Sequence, residues 1–159
     1  MSALRMAFAH SAEREALLLG LLDYRAALHA AGIVDGFQYI DGSFTEDCER
    51  LRGRPPRDID VVTFAALPCA PADRRAFLMN HAALFNPAQT KADYHCDAYF
   101  VDLQKPPRLL VSDSAYWSGL FSHQRVTALW KGMVQIPLAS DDAAVRLALA
   151  GAAATGAAP

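Results

Sequence analysis

The run Asp58-Ile59-Asp60-Val61-Val62-Thr63-Phe64 constrains the fold more than any other stretch of this chain. Ile59 to Phe64 is rich in β-branched residues and predicts a strand. Side chains alternate along a strand, so residues two apart share a face. Asp58 and Asp60 then project side by side at the head of an apolar strand. Two carboxylates that close repel each other unless a cation lies between them. Burying such a pair without a partner is also costly. A divalent cation resolves both problems, and Mg²⁺ in particular takes one or two carboxylates plus phosphate oxygens. The plainer reading of the pair is two strand-edge carboxylates that cap a turn.

The neighbouring segments alternate between helical and strand patterns. Ser11 is a natural cap for a first helix, and Glu13 and Glu15 suit its positive end. Leu18, Leu21, Leu22, Arg25 and Leu28 follow helical spacing, with Arg25 the one polar interruption, and Gly32 is a stop. Phe37 to Asp41 predicts a strand broken by Gly42-Ser43. The segment 44–57 is polar, contains Pro55-Pro56, and reads as a loop with a short helix at its start. Pro68 to Pro71 reads as a turn, and Ala72 to Leu84 as a helix with Phe77, Leu78, His81 and Leu84 on one face. Tyr94 to Leu103 predicts a third strand, ended by Pro106-Pro107. Ser112 or Asp113 is the expected cap of a short helix through Leu120. Lys131 to Leu138 predicts a last strand, and Ser140 caps a closing helix.

Composition sets the class. The chain has 159 residues, 53% of them hydrophobic, enough to bury a core in one domain without disulfides. That domain is expected over residues 1–147, followed by an Ala/Gly-rich tail, 148–159, expected to fray. The formal charge of −2 excludes a basic nucleic-acid binder overall and leaves any polyanion contact to a local patch. The three cysteines, Cys48, Cys69 and Cys96, form no C-x-x-C pair, which argues against a zinc ribbon or a disulfide framework. The opening residues carry no signal-peptide pattern, and the apolar cluster from Ala16 to Leu22 is too short to span a bilayer. A soluble cytoplasmic protein is the expectation.

Two further features bear on chemistry. Asp41-Gly42-Ser43 ends a strand, where small residues let backbone N–H groups and a hydroxyl approach an anion. Asp41 itself reads as a turn residue. Asp97 sits early in the apolar strand His95-Cys96-Asp97-Ala98-Tyr99-Phe100-Val101, as Asp58 and Asp60 do in theirs. Asp102 lies an odd number of residues away and points to the other face, and Asp93 lies outside the apolar run.

A strand ending in Gly-Ser, a gap, and then Asp-hydrophobic-Asp resembles the signature of the DNA polymerase β-like nucleotidyltransferase superfamily. Here it reads Tyr39-Ile40-Asp41-Gly42-Ser43-Phe44, then Asp58-Ile59-Asp60-Val61-Val62. The chain also looks like small bacterial nucleotidyltransferase-like proteins of unassigned function, which carry a late Lys-Gly step like Lys131-Gly132 before a strand. The resemblance spans roughly residues 36–103. It implies an α/β fold, equally describable as α+β, with a short mixed sheet and helices packed on it. It implies that Gly42 and Ser43 hold the triphosphate, that Asp58 and Asp60 bind two Mg²⁺ (or Mn²⁺) ions, and that Asp97 helps hold one and polarises the attacking hydroxyl. The segment between Ser43 and Asp58 departs from the pattern, being slightly longer and carrying Arg50, Arg52, Arg54 and Arg57.

The implied activity is transfer of a nucleoside monophosphate from a triphosphate, ATP foremost, to a hydroxyl of a protein or small-molecule acceptor. The chain is short for an added acceptor-gripping domain, so the acceptor is expected at a subunit interface or on a partner, for instance the toxin of a toxin–antitoxin pair. The competing expectation is a nucleotidyltransferase fold that binds nucleotide or a partner without turnover. The enzyme reading requires Asp58, Asp60 and Asp97 to converge on one metal-sized site and loses its basis if they do not. Lys131 reads either as a triphosphate partner or as a surface lysine, and the four arginines either as phosphate contacts or as a solvated loop. His95 is expected to share a face with Asp97. Trp117 and Trp130 read as core or interface anchors, and His10, His29, His81 and His123 are scattered without a role.

Overall fold

The computed structural model of the protein describes residues 1–125 and 127–156. In chain order the elements are α1 (Ser2–Phe8), α2 (Ala12–Ala30), β1 (Gly36–Asp41), α3 (Cys48–Arg52), β2 (Ile59–Ala65), α4 (Arg74–Asn80), α5 (Pro87–Tyr94), β3 (Cys96–Asp102), α6 (Pro107–Phe121), β4 (Val134–Pro137) and α7 (Asp142–Gly156). The strands form one mixed sheet in the order β3-β2-β1-β4. β1 pairs antiparallel with both β2 and β4, and β2 pairs parallel with β3. The expected α/β architecture, a short mixed sheet with helices packed on it, is what the chain forms.

Strand alternation gives the sheet two different faces. Ile40, Ile59, Val61, Ala65, Cys96 and Ala98 point to one side and join the leucines of α2 and Val145 and Leu149 of α7 in the main core. Val62, Phe64 and Val101 point to the other side, where Trp117 and Phe121 of α6 cover them. The acids stand on this second face, in a cavity that the last residues of α6, Gly119 to Phe121, also line.

Arg25, the polar break in the α2 stripe, is fully buried. Its guanidinium donates to Asp142 (2.6 Å), to the carbonyls of Pro137 and Leu138 (2.9 Å each) and to Gln38 Oε1 (2.6 Å). The Gln38 amide then donates to Thr63 Oγ1 at 2.9 Å. One cation thus ties α2 to β1, β2 and the start of α7, with its hydrogen-bonding groups satisfied as burial requires.

Several boundaries differ from those the sequence predicts. The helix expected over 72–84 is broken into a 3-10 turn at Pro71–Asp73, α4, and a second 3-10 turn at Ala82–Phe85. Of its expected apolar face, Leu84 is buried and Phe77 packs on the core, while Leu78 is 39% exposed. The third strand begins at Cys96 and not at Tyr94, because residues 87–94 are helical. Pro87 opens α5 at its first turn, Asn86 caps it by accepting from the Ala88 and Gln89 amides, and His95 closes it in the left-handed conformation. His95 is therefore off the strand and exposed, and it does not share a face with Asp97. α6 starts at Pro107, five residues ahead of the expected Ser112 or Asp113 cap, and Asp113 instead takes the Lys105 ammonium at 2.8 Å. α1 has no counterpart in the sequence reading. α7 runs through Ala148, where the tail was expected to begin, since Leu149 one turn after Val145 is still buried. The last residues of that expected tail, 157–159, lie outside the described residues.

Candidate functional site

The sheet register lines up three carboxylates. Asp41 on β1 is the direct partner of Asp60 on β2, and Asp60 is the direct partner of Asp97 on β3. Neighbouring strands lie about 4.8 Å apart, so the row crosses three strands on one face. Asp58 stands just ahead of β2. All four acids, with Ser43 and Lys131, line one cavity of about 640 Å³.

The Gly42-Ser43 step does more than end a strand. Gly42 has φ +81°, and a Cβ there would lie 1.7 Å from Asp60 Oδ2, so the turn and the carboxylate need a residue without a side chain at this position. Residues Gly42–Thr45 form a 3-10 turn that brings Ser43 to the cavity wall.

This turn is clamped by charge. Lys131 Nζ lies 3.0 Å from Asp41 Oδ2 and 2.9 Å from Glu46 Oε1, and donates to the Gly42 carbonyl at 3.2 Å. It is 10% exposed, so it is neither a surface lysine nor a free cation. Arg52 adds a second pair to Glu46 at 2.6 Å. Arg14, fully buried on α2, holds the Phe44 and Glu46 carbonyls at 2.7 Å each and the Glu49 carboxylate at 2.6 and 2.7 Å. Of the four loop arginines, Arg52 and Arg54 line the cavity, Arg50 pairs with Asp47 at 2.8 Å, and Arg57 is exposed.

Asp60 and Asp97 have no ion-pair partner among the described residues, although Arg52, Arg54, Lys91, Arg125 and Lys131 line the same cavity. Burial pushes the Asp60 carboxyl up to about 6, and Asp58, Asp97 and Asp41 push in the same direction. Burial likewise raises Asp41, opposed by the Gly42 amide and Lys131. Asp41 Oδ1 is buried and has no hydrogen-bond partner among the described residues. Asp58, like Asp41 with Lys131, has an ion-pair partner, the Lys91 ammonium on α5.

These oxygens suit a hard cation, and the repulsion among the acids around Asp60, which Arg125 opposes, is what such a cation would relieve. The convergence is one of a shared cavity, not of a finished cage. Among the described residues no three His, Cys, Asp or Glu side chains form a ready ligand set. Mg²⁺ is commonly held by one or two carboxylates with substrate phosphates and water completing its shell. Asp58 and Asp60 could serve a cation only in that way, as one or two of its ligands.

Asp58, Asp60, Asp97, Gly42, Ser43 and Lys131 are thus all brought to one place. Sequence reasoning missed Asp41, Glu46 and Lys91. Asp41 was legible as the last residue of β1, but its pairing opposite Asp60 depends on register. Trp117 is a core residue at 8% exposure, while Trp130 is 79% exposed and packs against His123 with tilted rings, centres 4.1 Å apart. Asp102 turns away from the row and pairs with Arg74 at 3.1 Å. No helix among the described residues is long and apolar enough to cross a membrane. A model of a family of unknown function, DUF6932, matches residues 1–137. No curated protein and no solved structure matches the chain.

Proposed function

We propose that this chain, which belongs to DUF6932, is a metal-dependent nucleotidyltransferase that moves a nucleoside monophosphate from ATP or another triphosphate to a hydroxyl. The observation that carries the reading is the row Asp41–Asp60–Asp97 with the Gly42-Ser43 turn pressed against Asp60. A sheet-borne acid set beside a small-residue turn is what triphosphate transfer needs, namely oxygen ligands for cations and donors for phosphate.

Each residue has a part. The Gly42-Ser43 turn offers backbone amides and a hydroxyl to the phosphates, and Lys131 with Arg14 keeps that turn in shape. Asp58 and Asp60 would hold Mg²⁺ or Mn²⁺, with Asp97 contributing to one of the two. Bound divalent cations would supply charge neutralisation at the phosphates and polarisation of the attacking and leaving oxygens. Asp97 accepts a hydrogen bond from the acceptor hydroxyl and takes its proton as that oxygen bonds to the α-phosphorus. The bond from the α-phosphorus to the bridging oxygen breaks, and pyrophosphate leaves with the electron pair. The protein's share is positioning and electrostatics.

The acceptor is a protein or small-molecule hydroxyl, presented at a homo-oligomer interface or by a partner such as the toxin of a toxin–antitoxin pair. This last part rests on analogy with the superfamily. The free state of Cys48, Cys69 and Cys96 supports a reducing, cytoplasmic setting. A second reading, nucleotide binding without turnover, is favoured by the Lys91–Asp58 ion pair and the lack of a ready ligand set among the described residues.

Thermal unfolding with each nucleoside triphosphate, with and without Mg²⁺, tests the proposal on wild type and Asp58→Asn/Asp60→Asn. A ligand at 100 times its dissociation constant stabilises by about 2.7 kcal/mol, a rise on the order of 5 °C in a domain of this size. A Mg²⁺-dependent rise absent from the variant supports the site, and transfer of α-phosphate label to an acceptor separates turnover from binding. No rise with any nucleotide overturns both readings.

A further inference from the structure

Of Asp58, Asp60 and Asp97, Asp58 alone has an ion-pair partner among the described residues, and that partner comes from a helix. α5 is firmly placed: Asn86 caps it, Thr90 is buried and donates to the Pro87 carbonyl at 3.2 Å, and Tyr94 packs on the main core. Lys91 leaves this helix with its chain 52% exposed and its ammonium on Asp58, inside the cavity that also holds Asp60, Asp97 and Ser43.

We propose that Lys91 is the resident counter-ion of the carboxylate set, and that its release from Asp58 couples divalent-cation binding to nucleotide binding. The inference rests on the nucleotidyltransferase reading above. Lys91 occupies the carboxylate that a cation would need, so a cation arriving alone must break the ion pair. The released ammonium then loses its direct partner and keeps only the longer-range attraction of Asp97 and Asp60. A triphosphate changes this balance. The ammonium is a compact, rotatable charge with three donors, suited to phosphate oxygens, and its stem is long enough to swing while α5 stays fixed. Cation and triphosphate each make room for the other, and such coupling is reciprocal in the two affinities. Lys91 is thus a positioning residue, acting on the metal through Asp58.

The test uses the full chain. Mn²⁺ affinity is read from the paramagnetic signal of the free ion, and the affinity for a non-hydrolysable ATP analogue is read with and without Mn²⁺. Lys91→Met keeps the stem and removes the charge, Lys91→Arg keeps the charge, and Asp58→Asn/Asp60→Asn removes the ligands. Lys91→Met is expected to bind Mn²⁺ alone about tenfold more tightly than wild type and to lose most of the gain in analogue affinity that Mn²⁺ brings, a change within the usual range of coupling. Lys91→Arg should resemble wild type. A merely structural ion pair would change stability and leave Mn²⁺ affinity alone. Equal Mn²⁺ affinity in wild type and Lys91→Met, with binding lost in Asp58→Asn/Asp60→Asn, overturns the role of Lys91 and leaves the site standing. Mn²⁺ binding that is absent, or insensitive to Asp58→Asn/Asp60→Asn, overturns the site and this inference together.

Discussion

The carboxylate of Asp60 rests against the bare Cα of Gly42, so closely that a methyl group there would sit 1.7 Å from Oδ2. Gly42→Ala meets two penalties. Its φ of +81° is left-handed, which costs an L-residue about 1–2 kcal/mol, and the Asp60 side chain must move. Gly53→Ala is the control, since Gly53 has φ +64° but nothing within 4 Å of an added Cβ. Both variants should lose several degrees of thermal stability. Gly42→Ala alone should also lose its Mg²⁺- and nucleotide-dependent rise. Retention of that rise in Gly42→Ala would detach the turn from the site.

Asp60 also gives the protein a pH signature. Its carboxyl ionises at about 6 in the fold, above the ordinary 3.8. Between those values the folded chain holds a proton that the unfolded chain has released. This contribution to stability is therefore present at low pH and is lost as pH rises through about 6. Asp60→Asn should remove that part of the pH profile and be more stable than wild type at pH 7, by on the order of 1 kcal/mol. A melting-temperature series from pH 4 to pH 8, on both proteins, reads the difference. Identical profiles would mean that Asp60 is not the strained acid of the row.

The acids and strands were legible because strand alternation is a strong local rule. β1 and β2 fall within a residue or two of their expected bounds, and Asp97 was separable from Asp102 by parity alone. What could not be read was register and charge pairing across distance. The match of Asp41 to Asp60 depends on how β1 meets β2. Lys131, which reads from the sequence more readily as a surface lysine than as a triphosphate partner, is mostly withdrawn from solvent because two acids from 85 and 90 residues upstream pair with it. α5 was missed for a different reason. Its Asn86-Pro87 start is a sound helix signal, but Tyr94 continues into the apolar run of β3 and pulls the strand boundary forward. Lys91 lay hidden with it.

Arg14 offers a test of how the loop behind Ser43 is held. Its guanidinium meets the Glu49 carboxylate and the carbonyls of Phe8, Phe44 and Glu46, and none of its surface is exposed. Removing one partner of a buried charged network typically costs 3–5 kcal/mol, about the range expected for Arg14→Met. The Glu49 carboxyl, which Arg14 holds down at about 2, should return toward 4.5 in the same variant. Urea unfolding measures the first effect and carboxyl NMR titration the second. A loss below about 1 kcal/mol would show that the loop holds itself.

Lys131 separates a clamp from a substrate contact. If it acts as the clamp its distances describe, Lys131→Met leaves Asp41 without an ion-pair partner among the described residues and Glu46 with Arg52, both acids in a buried place. The loss at pH 8 should be about 3 kcal/mol. Asp41 is already raised by burial, with Lys131 opposing that shift, so removing the lysine raises it further. A proton on Asp41 relieves the repulsion, so the deficit should shrink as pH falls toward 5. Adding Asp41→Asn to Lys131→Met should recover much of the loss, a coupling that a double-mutant cycle reads directly. A triphosphate contact predicts the reverse pattern. Stability would hardly change at any pH, Asp41→Asn would rescue nothing, and only the nucleotide-dependent rise in melting temperature would disappear.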